Sequence, residues 1–198
     1  EKSSTFYRKC RKLLLKTTML KLKSKMNKSQ VIAVLFLITS FSVFGQKKEW
    51  NTLNEKDYSI QYPKSWELNK SGQMGTSFIL LSQLSSDSDT FKENVNLIIQ
   101  DLSAYKIDLN KYVEISKAQI KKLITDPNIV SSTRMKNKGV EFHKIVYTGK
   151  QGVFDLKFMQ YYWVQNNKAY VLTFTSEKAE FDNIKDIGEK ILNSFIIK

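Results

Sequence analysis

The chain holds one Cys, one His, two Pro and seven Gly among 198 residues. The Cys is Cys10, so the sequence from residue 11 onward has no thiol. That excludes a disulfide framework, a Cys nucleophile and thiolate metal sites there. A thiol-free domain is at home in an oxidising envelope compartment. The lone imidazole, His143, has no second His to share a metal with, which removes the usual zinc sites. Two Pro and seven Gly are too few for a collagen-like or low-complexity chain. No Gly-rich phosphate loop, HExxH, G-x-S-x-G or paired-carboxylate pattern is present. No cofactor is implied.

What is abundant is positive charge, at +13 net, and its distribution decides its meaning. Residues 1–45 hold ten of the 32 Lys and Arg and one acidic residue, a net of +9, which leaves +4 for residues 46–198. In that remainder the signs interleave and Arg134 is the only Arg. Bidentate phosphate or guanine recognition favours Arg over Lys, so nucleic-acid binding is not expected. The scattered Lys read as a solvated surface.

The basic first quarter has internal structure. Met26-Asn27-Lys28 precedes an apolar run from Val31 to Phe44, closed by Gly45-Gln46. A positive start, a short apolar centre and small residues before a cut make residues 26–45 a signal peptide, with Gly45 at −1, Val43 at −3 and cleavage before Gln46. The run is shorter than the about 20 residues a membrane span needs. With Gln46 where a lipoprotein would carry Cys, lipidation is not expected. Residues 1–25 are read as a basic upstream segment ahead of the true start, at Met26 or Met19. The alternative reading is a basic amphipathic surface helix built on Leu13, Leu14, Leu15, Leu20 and Leu22.

Beyond a polar linker, 46–56, the domain is read over residues 57–198. Tyr58 to Tyr62 alternates as a strand and stops at Pro63. Thr76–Ser82 and Asn94–Asp101 read as strands, separated by the polar loop Leu84–Lys92. Asp108 or Asn110 caps a helix running to about Thr125, closed by Asp126-Pro127. Period-2 patterning then marks strands at Ile129–Met135, Val140–Tyr147, Phe154–Val164 and Ala169–Thr175. Turns fall at Lys138-Gly139, Gly149–Gly152 and Asn166-Asn167. Ser176 is read as the N-cap of a last helix with Phe181, Ile184, Ile187, Ile191, Leu192 and Phe195 on its apolar face. Three strands, a helix, four strands and a helix, joined by tight turns, give an α+β domain: an antiparallel β-sheet with helices packed on it.

The opening Tyr58-Ser59-Ile60-Gln61-Tyr62-Pro63-Lys64-Ser65-Trp66 resembles the start of PsbP-like domains, a strand running into Pro and then Trp. The order of elements and the closing Leu192-Asn193-Ser194-Phe195 continue the similarity over residues 50–198. The resemblance implies an α/β/α sandwich on a central antiparallel sheet, and no catalytic residue. Most bacterial relatives are envelope proteins of undefined role; the plant members are extrinsic photosystem II subunits that help retain ions. Nothing matches the photosystem-specific part.

Candidate side chains are few. His143, beside Glu141, is read as a strand histidine on the polar face, because no nucleophile motif or second ligand accompanies it. Asp87, Asp89 and Glu93 are oxygen donors suited to Ca²⁺, but the spacing lacks the Gly and ligand count of an EF-hand, so an ordinary solvated loop is expected. Met159, Tyr161 and Trp163 share one strand face, and Phe158 and Tyr162 the other; with Tyr170 and Phe174 they read as core, with an aromatic-lined pocket between sheet and helix as the alternative. The functional expectation is an exported, non-enzymatic envelope protein, periplasmic or extracellular and soluble after cleavage. It binds a protein partner or an apolar small molecule, and meets the membrane only through the signal segment. An enzyme with an unrecognised pocket site and a membrane-anchored surface protein are the alternatives.

Overall fold

A computed structural model of the chain describes residues 49–137 and 139–198. Cys10, the segments 1–25 and 26–45 and the Gly45-Gln46 junction lie outside the described residues.

Alternating side chains and tight turns build most of the domain as one meander. Strands β6 (Thr125–Asn137), β7 (Val140–Gln151), β8 (Phe154–Gln165) and β9 (Lys168–Glu177) follow one another as antiparallel neighbours. The β8–β9 hairpin turns on Asn166 and Asn167, both at positive φ, the left-handed geometry that matches the twist of the strands it joins. Upstream lie β1 (Trp50–Asn54), β2 (Tyr58–Pro63), β3 (Glu67–Asn69), β4 (Phe78–Leu81) and β5 (Asn94–Asp101). A seven-stranded sheet has the order β3-β4-β5-β9-β8-β7-β6. A second sheet, β1-β2-β10, is closed by the two-residue β10 (Ile196–Ile197).

Helix α1 (Leu109–Leu123) forms because Asp108 caps it, accepting from the Lys111 N–H at 2.8 Å. Since β5 sits in mid-sheet and β6 at its edge, the connection between them must cross the sheet, and α1 packs on β6, β7 and β8 on the way. Helix α2 (Phe181–Asn193) packs on the opposite face, against β5, β9 and β2. The sheet alternation therefore feeds two cores. Tyr161, Trp163, Leu172 and Phe174 meet Ile191, Leu192, Phe195 and the small sheet. Ile145, Phe158, Tyr162 and Val171 meet Tyr112, Val113 and Ile120 of α1. Each fully buried large apolar side chain contributes roughly 1.5–3 kcal/mol. The expected α+β class and the division of aromatics between faces hold.

Several boundaries differ from the sequence reading. The polar approach 46–56 contains β1, which pairs with β2 from Trp50↔Pro63 to Asn54↔Ser59; its Asn-rich sequence hides a strand whose stability comes from its partner. Asp126-Pro127 does not close the helix but enters β6. Pro127 lies on the sheet's edge strand, where an N–H is dispensable, and Asp126 (φ 50) sits at a register shift. Gly149 is a strand residue, not a turn: a Cβ there would lie 2.1 Å from Ile124 Cγ2, so the bare backbone admits the end of α1. Ser176 is not an N-cap; it is fully buried in β9, and α2 starts after Glu180. Gly188 of α2 lies against the Phe174 ring, where a Cβ would approach to 2.6 Å.

Candidate functional site

The face of the sheet under α1 can be read rung by rung from the register. One rung carries Asn94, Thr175, Phe158 and Tyr147; the next Asn96, Thr173, Gln160 and Ile145; the third Ile98, Val171, Tyr162 and His143. Helix α1 seals the third rung, with Tyr112 against Tyr162 at 5.9 Å between ring centres. The first rung and, from the second, Asn96, Thr173 and Gln160 line a groove of about 550 Å³, which Phe91, Phe154, Leu156, Gln151, Gly152 and Met74 complete. A smaller cavity of about 200 Å³ continues under α1 and shares Tyr147 and Gln160 with it.

The floor is polar without being charged. Gln160 donates from Nε2 to Thr173 Oγ1 at 3.0 Å and accepts at Oε1 from the Tyr162 hydroxyl. Asn96 leans on Asn94 at 3.4 Å. The Thr175 hydroxyl has no side-chain hydrogen bond among the described residues. The walls are aromatic. Tyr147 stacks on Phe158 at 4.6 Å and 13°, and Phe91 meets Phe154 at 5.1 Å. None of the lining residues of either cavity is ionised at neutral pH. Burial raises the Tyr147 and Tyr162 phenols well above their ordinary value and pushes Tyr112 up to about 12, so all three remain neutral hydroxyls.

The polar loop before β5 acquires a purpose here. Asp89 accepts from the Ser85 N–H at 2.8 Å, the Ser85 hydroxyl at 2.9 Å and the Phe91 N–H at 3.0 Å, and so places Phe91 in the groove wall. Those bonds, led by the Ser85 and Phe91 amides, hold its carboxyl below the ordinary carboxylate value. Asp87, Asp89 and Glu93 do not converge. Glu93 is buried and accepts from the Ser82 hydroxyl at 2.9 Å, and the described residues contain no cluster of three possible metal ligands.

His143 is not on an exposed polar face. It is 9% exposed, beside the seam between α1 and β6. Its Nε2 is hydrogen-bonded to Ser132 Oγ at 2.7 Å, while Nδ1 is buried without a partner. A Ser–His pair used for acyl transfer needs a third group to orient Nδ1, and none stands there among the described residues. Arg134, on the neighbouring strand, donates to Asn110 Oδ1 of α1. The first contact ties β7 to the edge strand β6, and the second ties β6 to α1. Strand patterning alone missed the groove residues Asn94, Asn96, Gln160, Thr173 and Thr175. Their signal is a run of polar residues at alternate positions of otherwise apolar strands, and only the register sets it in one stripe.

A model of the PsbP family matches residues 50–197. The chain belongs to the PsbP family. Its fold is similar to that of cyanobacterial PsbP (CyanoP) from Synechocystis sp. PCC 6803, at 12% identity and TM-score 0.56 over 78% of this chain and 96% of that one. It is also similar to LpqN of Mycobacterium tuberculosis, a protein involved in cell envelope biogenesis, at 12% identity and TM-score 0.57 over 76% of this chain and 91% of LpqN. A Pseudomonas aeruginosa protein of unknown function, PA94, described as a putative regulator, shares 11% identity at TM-score 0.53 over 76% and 98% of the respective chains. Among curated protein sequences none matches.

The family's shared features acquire physical meaning in this PsbP-family chain. Pro63 ends β2, the Trp66 N–H returns to the Pro63 carbonyl at 2.9 Å, and the Trp66 ring is buried. At the other end, Leu192 and Phe195 enter the core, and Ser194 Oγ accepts from the Gln61 N–H at 2.8 Å, joining α2 to β2.

Proposed function

We propose that this PsbP-family protein is exported, is non-enzymatic, and holds a ligand in the groove beside α1. The observation that carries the reading is the groove itself. It has the volume of a small-molecule site, aromatic walls and a polar floor, and its lining has no ionised acid, base or nucleophile to carry a reaction. Export is supported by the signal-like segment 26–45, with processing between Gly45 and Gln46, and by the thiol-free sequence that follows. After cleavage the protein is soluble in the periplasm or outside the cell. On this reading residues 1–25 precede the true start, and the mature chain comprises the short approach from Gln46 and the domain. No described helix is long and apolar enough to cross a membrane.

The test is the mass of the protein recovered from its native host, recorded under native and then denaturing conditions. A chain beginning at Gln46 is expected, with a bound small molecule released on denaturation and absent from an Asn96→Arg variant. A retained leader sinks the export reading. A ligand-free mass, or an adduct indifferent to Asn96→Arg, sinks the groove reading.

A further inference from the structure

We propose that the groove takes a neutral oligosaccharide; this rests on the groove reading above and names its ligand. The chemistry of the lining selects among ligand classes. A charged ligand would leave water for a site whose lining offers no counter-charge. Gln160 and Thr173 already bond within the floor, but a purely apolar ligand would cover the amides of Asn94 and Asn96 and the hydroxyl of Thr175 without replacing their water. Each stranded polar group costs about 1–3 kcal/mol. The Thr175 hydroxyl lines the groove and is open to a hydrogen bond from the ligand. A ligand whose groups both donate and accept satisfies such a floor, and sugar hydroxyls do both. The stripe also has length: it crosses β5, β9 and β8 at about 4.8 Å per strand.

The walls favour the same class. The Tyr147–Phe158 pair lies nearly parallel at 4.6 Å, and Phe91 and Phe154, also in the lining, stand at 5.1 Å. Aromatic faces are electron-rich and attract polarised C–H groups, which a pyranose ring presents on its flat sides. A hydroxyl-and-amide floor between aromatic walls therefore meets both surfaces of a sugar. The smaller cavity continuing past Tyr147 and Gln160 gives room for a chain of rings rather than one.

The test titrates the full chain with maltotriose, cellotriose and N,N′,N″-triacetylchitotriose as neutral probes, trigalacturonate as an anionic one and 1-decanol as an apolar one. Heat of binding and the side-chain amide NMR signals of Asn94, Asn96 and Gln160 are followed. At least one neutral triose is expected to bind with a dissociation constant of about 1 mM or tighter and to shift those amides. Trigalacturonate should bind at least about tenfold more weakly. Thr175→Val removes one hydroxyl at nearly constant shape and should weaken the triose roughly tenfold. If that variant does not fold, Asn96→Ala reads the same floor. Binding of 1-decanol with no response to any triose overturns the saccharide assignment and leaves the groove reading standing. Triose binding unchanged by both variants also overturns it. Silence of the three amides toward every probe overturns it as well, and the co-purified mass then judges the groove reading separately.

Discussion

At the scale of single residues, His143 shows how a neutral group becomes pH-sensitive through position. Burial first, then the neighbouring charges of Arg134 and Lys117, push its imidazole below the ordinary 6.5. Between the folded and unfolded pKa values the unfolded chain binds the proton and the folded chain does not. Stability is therefore complete above about pH 6.5 and falls as the pH drops through the folded pKa. Urea unfolding between about pH 7 and about pH 5 should show this slope, and His143→Leu should flatten it. An unchanged slope in the variant would assign the acid sensitivity to other groups.

At the scale of elements, the loop between β4 and β5 is held by one carboxylate. Asp89 ties Ser85 to Phe91 through three bonds, and Phe91 packs against Phe154 in the groove lining. Asp89→Ala should speed hydrogen exchange at the Phe91 amide several-fold and weaken ligand capture, while the amides of β8 and β9 keep their protection. The tie is complete above about pH 3.8 and is lost as the pH falls through the lowered pKa, so wild type should approach the variant's exchange in acid. Unaltered exchange at Phe91 would show that the loop is ordered by something else. The composition Leu84–Lys92 is that of a solvated loop, which is what most of it is; the task of Asp89 appears only once its acceptor geometry is fixed.

At the scale of the whole domain, Phe195 joins parts that are distant in sequence. It is 6% exposed and its ring lies 5.2 Å from Trp163, 5.7 Å from Tyr58 and 6.2 Å from Tyr170. It therefore links the end of α2, the small sheet and two central strands. Phe195→Ala leaves a cavity at that junction and should cost about 3–5 kcal/mol in denaturant unfolding, as one cooperative transition. A loss of less than about 1 kcal/mol would show that the junction collapses around the gap.

The sequence by itself determined the elements with strong periodicity: the four-strand meander, the start of α1 at a cap the structure assigns to Asp108 rather than Asn110, and the division of Met159, Tyr161 and Trp163 from Phe158 and Tyr162. These are local properties, because a strand alternates sides and a cap acts over three residues. It also carried the PsbP-like opening and close, whose residues prove to be buried or to bond across elements. Only the tertiary structure decided the rest. β1, β3 and β10 are too short or too polar to be seen without their pairing partners, and Asp126-Pro127 reads as a stop until β6 is placed at an edge. His143 reads as a strand histidine on the polar face, and only the packing beside β6 buries it. The groove depends on register between strands far apart in sequence, with Asn94 against Thr175 and Thr173 against Gln160. No local pattern encodes that alignment, because each polar residue alone is an unremarked interruption of an apolar strand. A one-residue slip would turn the entire stripe to the other face.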